Sequence, residues 1–183
     1  MREAPALLGP VRLVCVDGPA GSGKTTFASR LVGALGGDAA LVHMDDLYAG
    51  WTLTGAAARL SAGVLRPLSE GRRGAVHRYD WAAGRFSRTA APVEPAPVLV
   101  VEGCGSSPRA LARWTTLRVW VQAPPDVRMA RGLARDGAAL EPEWRRWQLT
   151  EAADFTRERT RARADLLVDG AAVCSEARFA YVC

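Results

Sequence analysis

Apolar residues in this chain fall into short continuous runs separated by longer stretches where they recur every three or four positions. Runs rich in Val and Leu over 11–17, 40–43, 98–102, 117–122 and 166–169 predict strands covered on both faces. Phe27, Leu31 and Leu35 then repeat at intervals of four, which predicts one face of a helix behind residue 24. A second helix is predicted over 54–68, and a third from Pro124-Pro125 to about Arg135. A fourth covers about 141–161, with Trp144, Trp147 and Leu149 expected on its buried side. Strands alternating with helices imply an α/β domain around a mainly parallel sheet.

Two segments break this rhythm. Residues 75–89 read AVHRYDWAAGRFSRT, two alternating runs about an Ala-Ala-Gly turn, and predict a β-hairpin. Residues 90–97, AAPVEPAP, predict a Pro-rich connector. With 183 residues and no internal repeat, residues 1–183 are expected to form one domain.

Composition narrows the class. Apolar content is 49%, yet no apolar run approaches the roughly 18 residues of a membrane helix. The first ten residues lack the apolar centre of a signal peptide. Cys15, Cys104, Cys174 and Cys183 have no metal-type spacing, and Cys15 sits within an apolar run as a small hydrophobe. We therefore expect a reduced, cytoplasmic protein without structural disulfides. The net charge of +5 does not imply a nucleic-acid partner, because the arginines are dispersed among acids and form no block. The chain has no Asn and no Ile, and Lys24 is its only lysine, so arginine usage reflects a coding bias.

That one lysine lies in Gly18-Pro-Ala20-Gly21-Ser22-Gly23-Lys24-Thr25, a full GxxxxGK[ST] match between a strand and a helix. Glycines there let backbone N–H groups close around phosphate oxygens, and the following helix adds the positive end of its dipole. Lys24 supplies a compact ammonium to the β- and γ-phosphates, where the planar fork of arginine fits poorly. Thr25 offers its hydroxyl to Mg²⁺, and Thr26 extends the loop. A guanine-reading NKxD motif is impossible without Asn, which leaves a small-molecule kinase as the leading class.

Three further groups suit phosphoryl transfer. Asp45-Asp46 follows the second strand, where a carboxylate orients an acceptor hydroxyl and takes its proton; either residue is a candidate. Glu102 closes the strand over 98–102 and suits Mg²⁺ coordination, directly or through water. Arg128, Arg131 and Arg135 share one helix face and can neutralise the transferring phosphoryl group.

Taken in order, these motifs resemble the uridine kinase-like branch of P-loop kinases, related to phosphoribulokinase and pantothenate kinase. Asp45-Asp46-Leu47-Tyr48 resembles the family's D-x-F-Y motif, Arg78-Tyr79-Asp80-Trp81 its acceptor hairpin, and Glu102-Gly103 its strand end. Asp126 to Asp136 is similar to its lid helix, and Ala164 to Gly170 to the final strand beside the adenine. The resemblance implies a P-loop NTPase fold: a three-layer α/β/α domain with a five-stranded parallel sheet, a hairpin insert at about 75–89 and a short helical lid at about 126–141. It implies ATP and Mg²⁺ as cofactors and a small-molecule acceptor, most simply a nucleoside. ATP would lie on Gly18, Ala20, Gly21, Ser22, Gly23, Lys24, Thr25, Thr26 and Gly170. Asp45, the favoured base, with Lys24, Arg131 and Arg135 would carry the chemistry, and Thr25, Asp45 and Glu102 the metal. Asp46, Tyr48, Tyr79, Asp80 and Arg128 would face the acceptor.

The chain departs from that pattern after Tyr48. Where uridine kinases carry an Asp-rich ribose-reading stretch, residues 51–58 read WTLTGAAA, without an acid. Trp51, Trp81 and Tyr79 are candidates for stacking on a base. Two other readings stay open. A nucleoside monophosphate kinase would need extra arginines for a second phosphate, among Arg59, Arg66, Arg72, Arg73, Arg78, Arg85 and Arg88. A non-catalytic ATP-binding or RNA-end-acting protein would need the loop alone. Whether the protein is a monomer or a homo-oligomer is not written in the sequence.

Overall fold

The structure is a computed structural model that describes residues 3–172 and the backbone of Ala180–Tyr181. The chain opens with β1 (Arg12–Asp17), α1 (Lys24–Leu35) and β2 (Ala39–His43). A helical stretch follows as α2 (Ala56–Leu60), a π-helical turn (Ser61–Leu65) and α3 (Arg66–Ser69). Four short strands come next: β3 (Gly74–Val76), β4 (Tyr79–Asp80), β5 (Arg85–Phe86) and β6 (Ala91–Val93). The remainder is β7 (Val98–Glu102), β8 (Thr115–Gln122), α4 (Pro125–Asp136), α5 (Glu141–Glu158), β9 (Leu166–Asp169) and β10 (Ala180–Tyr181).

The central sheet runs β2-β7-β1-β8-β9, all parallel, and β10 joins β9 antiparallel at one edge. The five expected strands are thus the parallel core, and β10 is an addition. Successive side chains of the inner strands point to opposite faces, and both faces are buried. Leu13, Cys15, Leu99 and Val101 enter one apolar cluster with Leu60, Leu65 and Trp147. Val14, Val16, Val100, Val119 and Val168 enter the other, under Phe27 and Leu35 of α1. Cys15 is wholly buried, and burial pushes its thiol up to about 12. Cys15 and Cys104 are free thiols, whereas Cys174 and Cys183 lie outside the described residues.

The hairpin is longer than the sequence pattern implies. β4 pairs with β5 around residues 81–84, and β3 pairs with β6 outside them. Residues 91–93 of the expected connector are therefore a strand; Pro92 is tolerated because the two-stranded ribbon is all edge. The π-helical turn precedes Pro67, which lacks an N–H, and there the Arg66 amide reaches back five residues to the Ser61 carbonyl.

One expected core residue lies outside. On α5 the buried positions are Trp144, Trp147 and Glu151, spaced i, i+3 and i+7. Leu149 follows Trp147 by two residues, about 200° around the helix, and is 74% exposed. Trp144 packs over Gly132 of α4, where an added Cβ would lie 2.4 Å from the indole. Replacing Leu149 by Ser should change the unfolding free energy by less than about 0.5 kcal/mol, whereas Trp144→Ala should cost about 3–5 kcal/mol in urea unfolding.

Candidate active site

The C-terminal ends of the parallel strands open into one cleft of about 870 Å³. Its floor is the loop between β1 and α1. The loop backbone is wedged against its neighbours: a Cβ on Gly21 would lie 2.4 Å from the Arg128 carbonyl oxygen, and one on Gly170 1.8 Å from that of Ser22. Only glycine fits at either position, and Gly21 also needs its φ of 77°. Gly170 thus presses on the loop itself, directly after β9.

Asp17 ends β1 and is buried. Its Oδ1 accepts the Gly18 and Gly105 amides at 2.8 and 2.9 Å, and its Oδ2 accepts the Ser107 amide at 2.9 Å. Burial pushes this carboxyl up to about 6, while the three amides and Lys24 pull against it. It therefore carries its charge at neutral pH and ties the phosphate loop to the segment after β7.

Lys24 is buried at the cleft floor. Its Nζ donates to the Pro19 carbonyl at 2.9 Å and approaches the Cys104 Sγ at 3.6 Å; among the described residues it forms no ion pair. Burial lowers its pKa, but Cys104, Glu151, Glu102 and Asp45 together hold it above the ordinary value. An ammonium without a protein counter-ion in a cradle of backbone amides fits a phosphate.

Glu102 and Thr25 meet beside it. The Thr25 hydroxyl donates to Glu102 Oε1 at 3.2 Å, and His43 Nδ1 lies 2.6 Å from the same oxygen. That hydrogen bond raises the His43 pKa. Asp45 lines the same cleft, and burial, reinforced by Glu102, raises its carboxyl. No group of three or more His, Cys, Asp or Glu forms a metal cage among the described residues. Thr25, Glu102 and Asp45 instead make the sparse oxygen set that suits Mg²⁺, whose other ligands are waters and phosphate oxygens.

The three arginines of α4 reach different partners. Arg128 NH1 pairs with Glu151 at 3.0 Å, and its Nε donates to the Ala123 carbonyl at 3.1 Å. Arg131 NH1 donates to the carbonyls of Gly21 and Gly170 at 3.3 and 3.0 Å and lines the cleft. Arg135 also lines the cleft, held by Asp136 at 2.7 Å and lying 5.7 Å over the Trp144 ring. So Lys24, Thr25, Thr26, Asp45, Glu102, Arg131 and Arg135 share the cleft with Ala20, Gly21 and Gly23. Ser22 is buried beneath them.

The residues expected at the acceptor are more scattered. Tyr48 lines the cleft, but its hydroxyl donates to the Cys104 carbonyl at 2.8 Å. Asp46 pairs with Arg78 at 3.3 Å. Asp80 accepts the Ala82 and Ala83 amides of its own turn, and Tyr79 packs between Trp81 and Phe86. Arg128 faces Glu151. In their place stands a wall of Trp51, Trp81, Trp144 and Trp147. Trp51 is its hub, 5.7, 6.2 and 6.0 Å from the other three rings and steeply inclined to each.

Sequence reasoning missed Glu151. Its Oε2 accepts the Ala20 amide at 2.8 Å and the Cys104 thiol at 3.3 Å, while Oε1 takes Arg128. One buried carboxylate thus fastens the loop, α4 and the end of β7. The only sequence signal was an acid on the i, i+3, i+7 face begun by two tryptophans.

Comparison with known proteins agrees with this geometry. Residues 57–140 match the model of the phosphoribulokinase / uridine kinase family. That segment begins after the phosphate loop, so the two signals are independent. A possible uridine kinase from Bacillus stearothermophilus superposes with a TM-score of 0.62 at 20% identity, over 85% of this chain and 87% of that one. A candidate fructose transport system kinase from Silicibacter sp. TM1040 gives 0.62 at 22% identity, over 91% and 93%. The chain has the P-loop kinase fold, and its residues 57–140 are similar to the phosphoribulokinase / uridine kinase family.

Two outcomes check the buried carboxylates. Glu151→Ala should cost about 3–5 kcal/mol of stability, because Arg128 loses its partner, and Glu151→Gln should cost less by keeping an acceptor for the Ala20 amide. The Asp17 carboxyl should titrate near pH 6 by carbon-detected NMR. Because its folded pKa exceeds the unfolded value, its contribution to stability should fall as pH rises from about 4 to 6.

Proposed function

From a P-loop kinase fold and a partial likeness to the phosphoribulokinase / uridine kinase family, we propose that this protein transfers the γ-phosphoryl group of ATP to a hydroxyl of a small metabolite, with a nucleoside as the first class to test. The observation that carries the reading is the convergence of Lys24, Thr25, Glu102, Asp45, Arg131 and Arg135 in one cleft opposite an aromatic wall. The loop amides and Lys24 hold the phosphates, and Asp45 accepts the proton of the attacking hydroxyl. A raised carboxyl pKa suits that task, since it makes the base stronger. Arg131 and Arg135 stabilise negative charge on the transferring group. Mg²⁺, when bound by Thr25, Glu102 and Asp45, neutralises phosphate oxygens. The lid, 126–141, excludes water from the reacting group.

A hydroxyl acceptor is favoured over a phosphate acceptor by where the other arginines go. Arg72 pairs with Glu70, Arg73 with Glu94 and Arg78 with Asp46, while Arg59 donates to the Leu47 and Thr54 carbonyls. No arginine outside α4 lines the cleft among the described residues.

The test is ADP release from ATP and Mg²⁺ across a panel of nucleosides, nucleotides and sugars. Acceptor-stimulated turnover is expected; tight ATP binding with no stimulation by any acceptor would sink the reading. Lys24→Ala should abolish turnover. Asp45→Asn should slow it by about 10²–10⁴-fold with ATP affinity kept, and an unaffected Asp45→Asn beside an inactive Asp46→Asn would move the base by one residue.

A further inference from the structure

The far side of the cleft from the phosphate loop is made of indole rings. Trp51 and Trp81 remain 37% and 45% exposed although Trp144 and Trp147 behind them are buried. Large aromatics left open to solvent in a cleft mark a binding surface. Their ring geometry is already fixed by mutual edge-on contacts, so the wall holds its shape before a ligand arrives.

Polar groups on that side are engaged within the protein. The Tyr48 hydroxyl is bound to Cys104, Asp46 to Arg78, and Asp80 to its own turn. The Trp81 indole N–H donates to the Asp45 carbonyl at 3.3 Å, and that of Trp144 to Asp136 at 3.0 Å. Asp136 in turn is held by Arg135. Apart from the Arg135–Asp136 pair, whose guanidinium is assigned above to the transferring phosphoryl group, what faces an acceptor is therefore ring surface together with the Asp45 carboxylate, the one group needed to take a proton.

We propose that the acceptor subsite recognises a planar ring and leaves the acceptor's additional hydroxyls unread, so that its substrates are ring-bearing alcohols with or without a ribose. The inference rests on the kinase reading above and narrows it. A site built to hydrogen-bond a hydroxyl rejects the analogue lacking it by about 10⁴–10⁵-fold, whereas an apolar wall discriminates a hydroxyl far more weakly, by about 10² at most. Ring stacking is sequence-tolerant among bases, because every base presents a π-face. The ring supplies affinity, and the position of its reactive hydroxyl against Asp45 supplies selectivity.

The experiment pairs two readouts on the full chain. Intrinsic tryptophan fluorescence follows binding, and ADP release follows turnover. The probes are four ribonucleosides, their 2′-deoxy counterparts, pyridine-3-methanol, ribose and fructose. Expected is kcat/KM for the preferred ribonucleoside and its 2′-deoxy form within about tenfold, with ribose and fructose at least about 100-fold poorer. Trp51→Ala and Trp81→Ala, both at exposed positions and checked for folding by circular dichroism, should raise KM for ring acceptors roughly tenfold with kcat largely kept. A ribonucleoside preferred over its deoxy form by more than about 10³-fold, or ribose turned over as well as ring compounds, would overturn ring recognition and leave the kinase reading standing. Ring compounds that quench the fluorescence of wild type but not of Trp81→Ala, without stimulating ADP release, would do the reverse. The absence of both quenching and turnover with every ring compound would overturn the proposal outright.

Discussion

The backbone of the phosphate loop touches the backbone of two other elements with no side chain between them. Gly21 lies on the Arg128 carbonyl of α4, and Gly170 lies on Ser22. Contacts this close set the loop, α4 and the last strand of the parallel core at fixed separations. Everything chemical in the cleft inherits that spacing. Arg131 bridges the same pieces by bonding the Gly21 and Gly170 carbonyls, and Glu151 reaches up from α5 to hold the Ala20 amide. The Ala20 amide is taken by Glu151 and the Ser22 amide by the Pro19 carbonyl, so the phosphate cradle falls to the other loop amides, toward Lys24 and the start of α1.

Burying charge beneath such a loop is costly unless every charge is answered. Asp17 is answered by three amides, and Glu151 by an amide, a thiol and a guanidinium. Lys24 is the exception, with a carbonyl and a thiol as its neighbours. It is held protonated by acids at longer range. The floor of the cleft is therefore a charge network with one open valence directed at the ligand. The Cys104 thiol belongs to the same network, and burial holds it neutral by raising its pKa far above the usual range.

Much of this was written locally. The strands followed from runs of Val and Leu, and Lys24, Thr25 and Glu102 from motif spacing, because each depends on neighbours within a few residues. Other features depend on contacts across 50 to 130 positions of chain, which spacing does not carry. Glu151 looked like any acid on a long polar helix, and only the fold turns it under the loop. Leu149 looked like core because it is apolar, yet helical rotation places it outside. Pro92 masked a strand, since proline usually ends one. The acceptor side was the least legible: Asp46, Asp80 and Arg128 all have polar partners close by in the structure, and spacing alone did not separate Trp51 and Trp81, candidates for stacking on a base, from the buried Trp144 and Trp147.

The lone lysine has a consequence for the protein's response to its surroundings. Guanidinium groups do not lose their protons under any condition a cell meets. In this chain every other cationic side chain but two histidines is of that kind. The positive half of its charge is thus nearly constant, and pH acts on the net charge mainly through its acids and the two histidines. Lysine-directed chemistry is confined in the same way. A reagent or enzyme that acylates side-chain amines finds a single target, and that target lies at the bottom of the nucleotide cleft, so occupancy of the cleft decides whether the chain can be modified there at all.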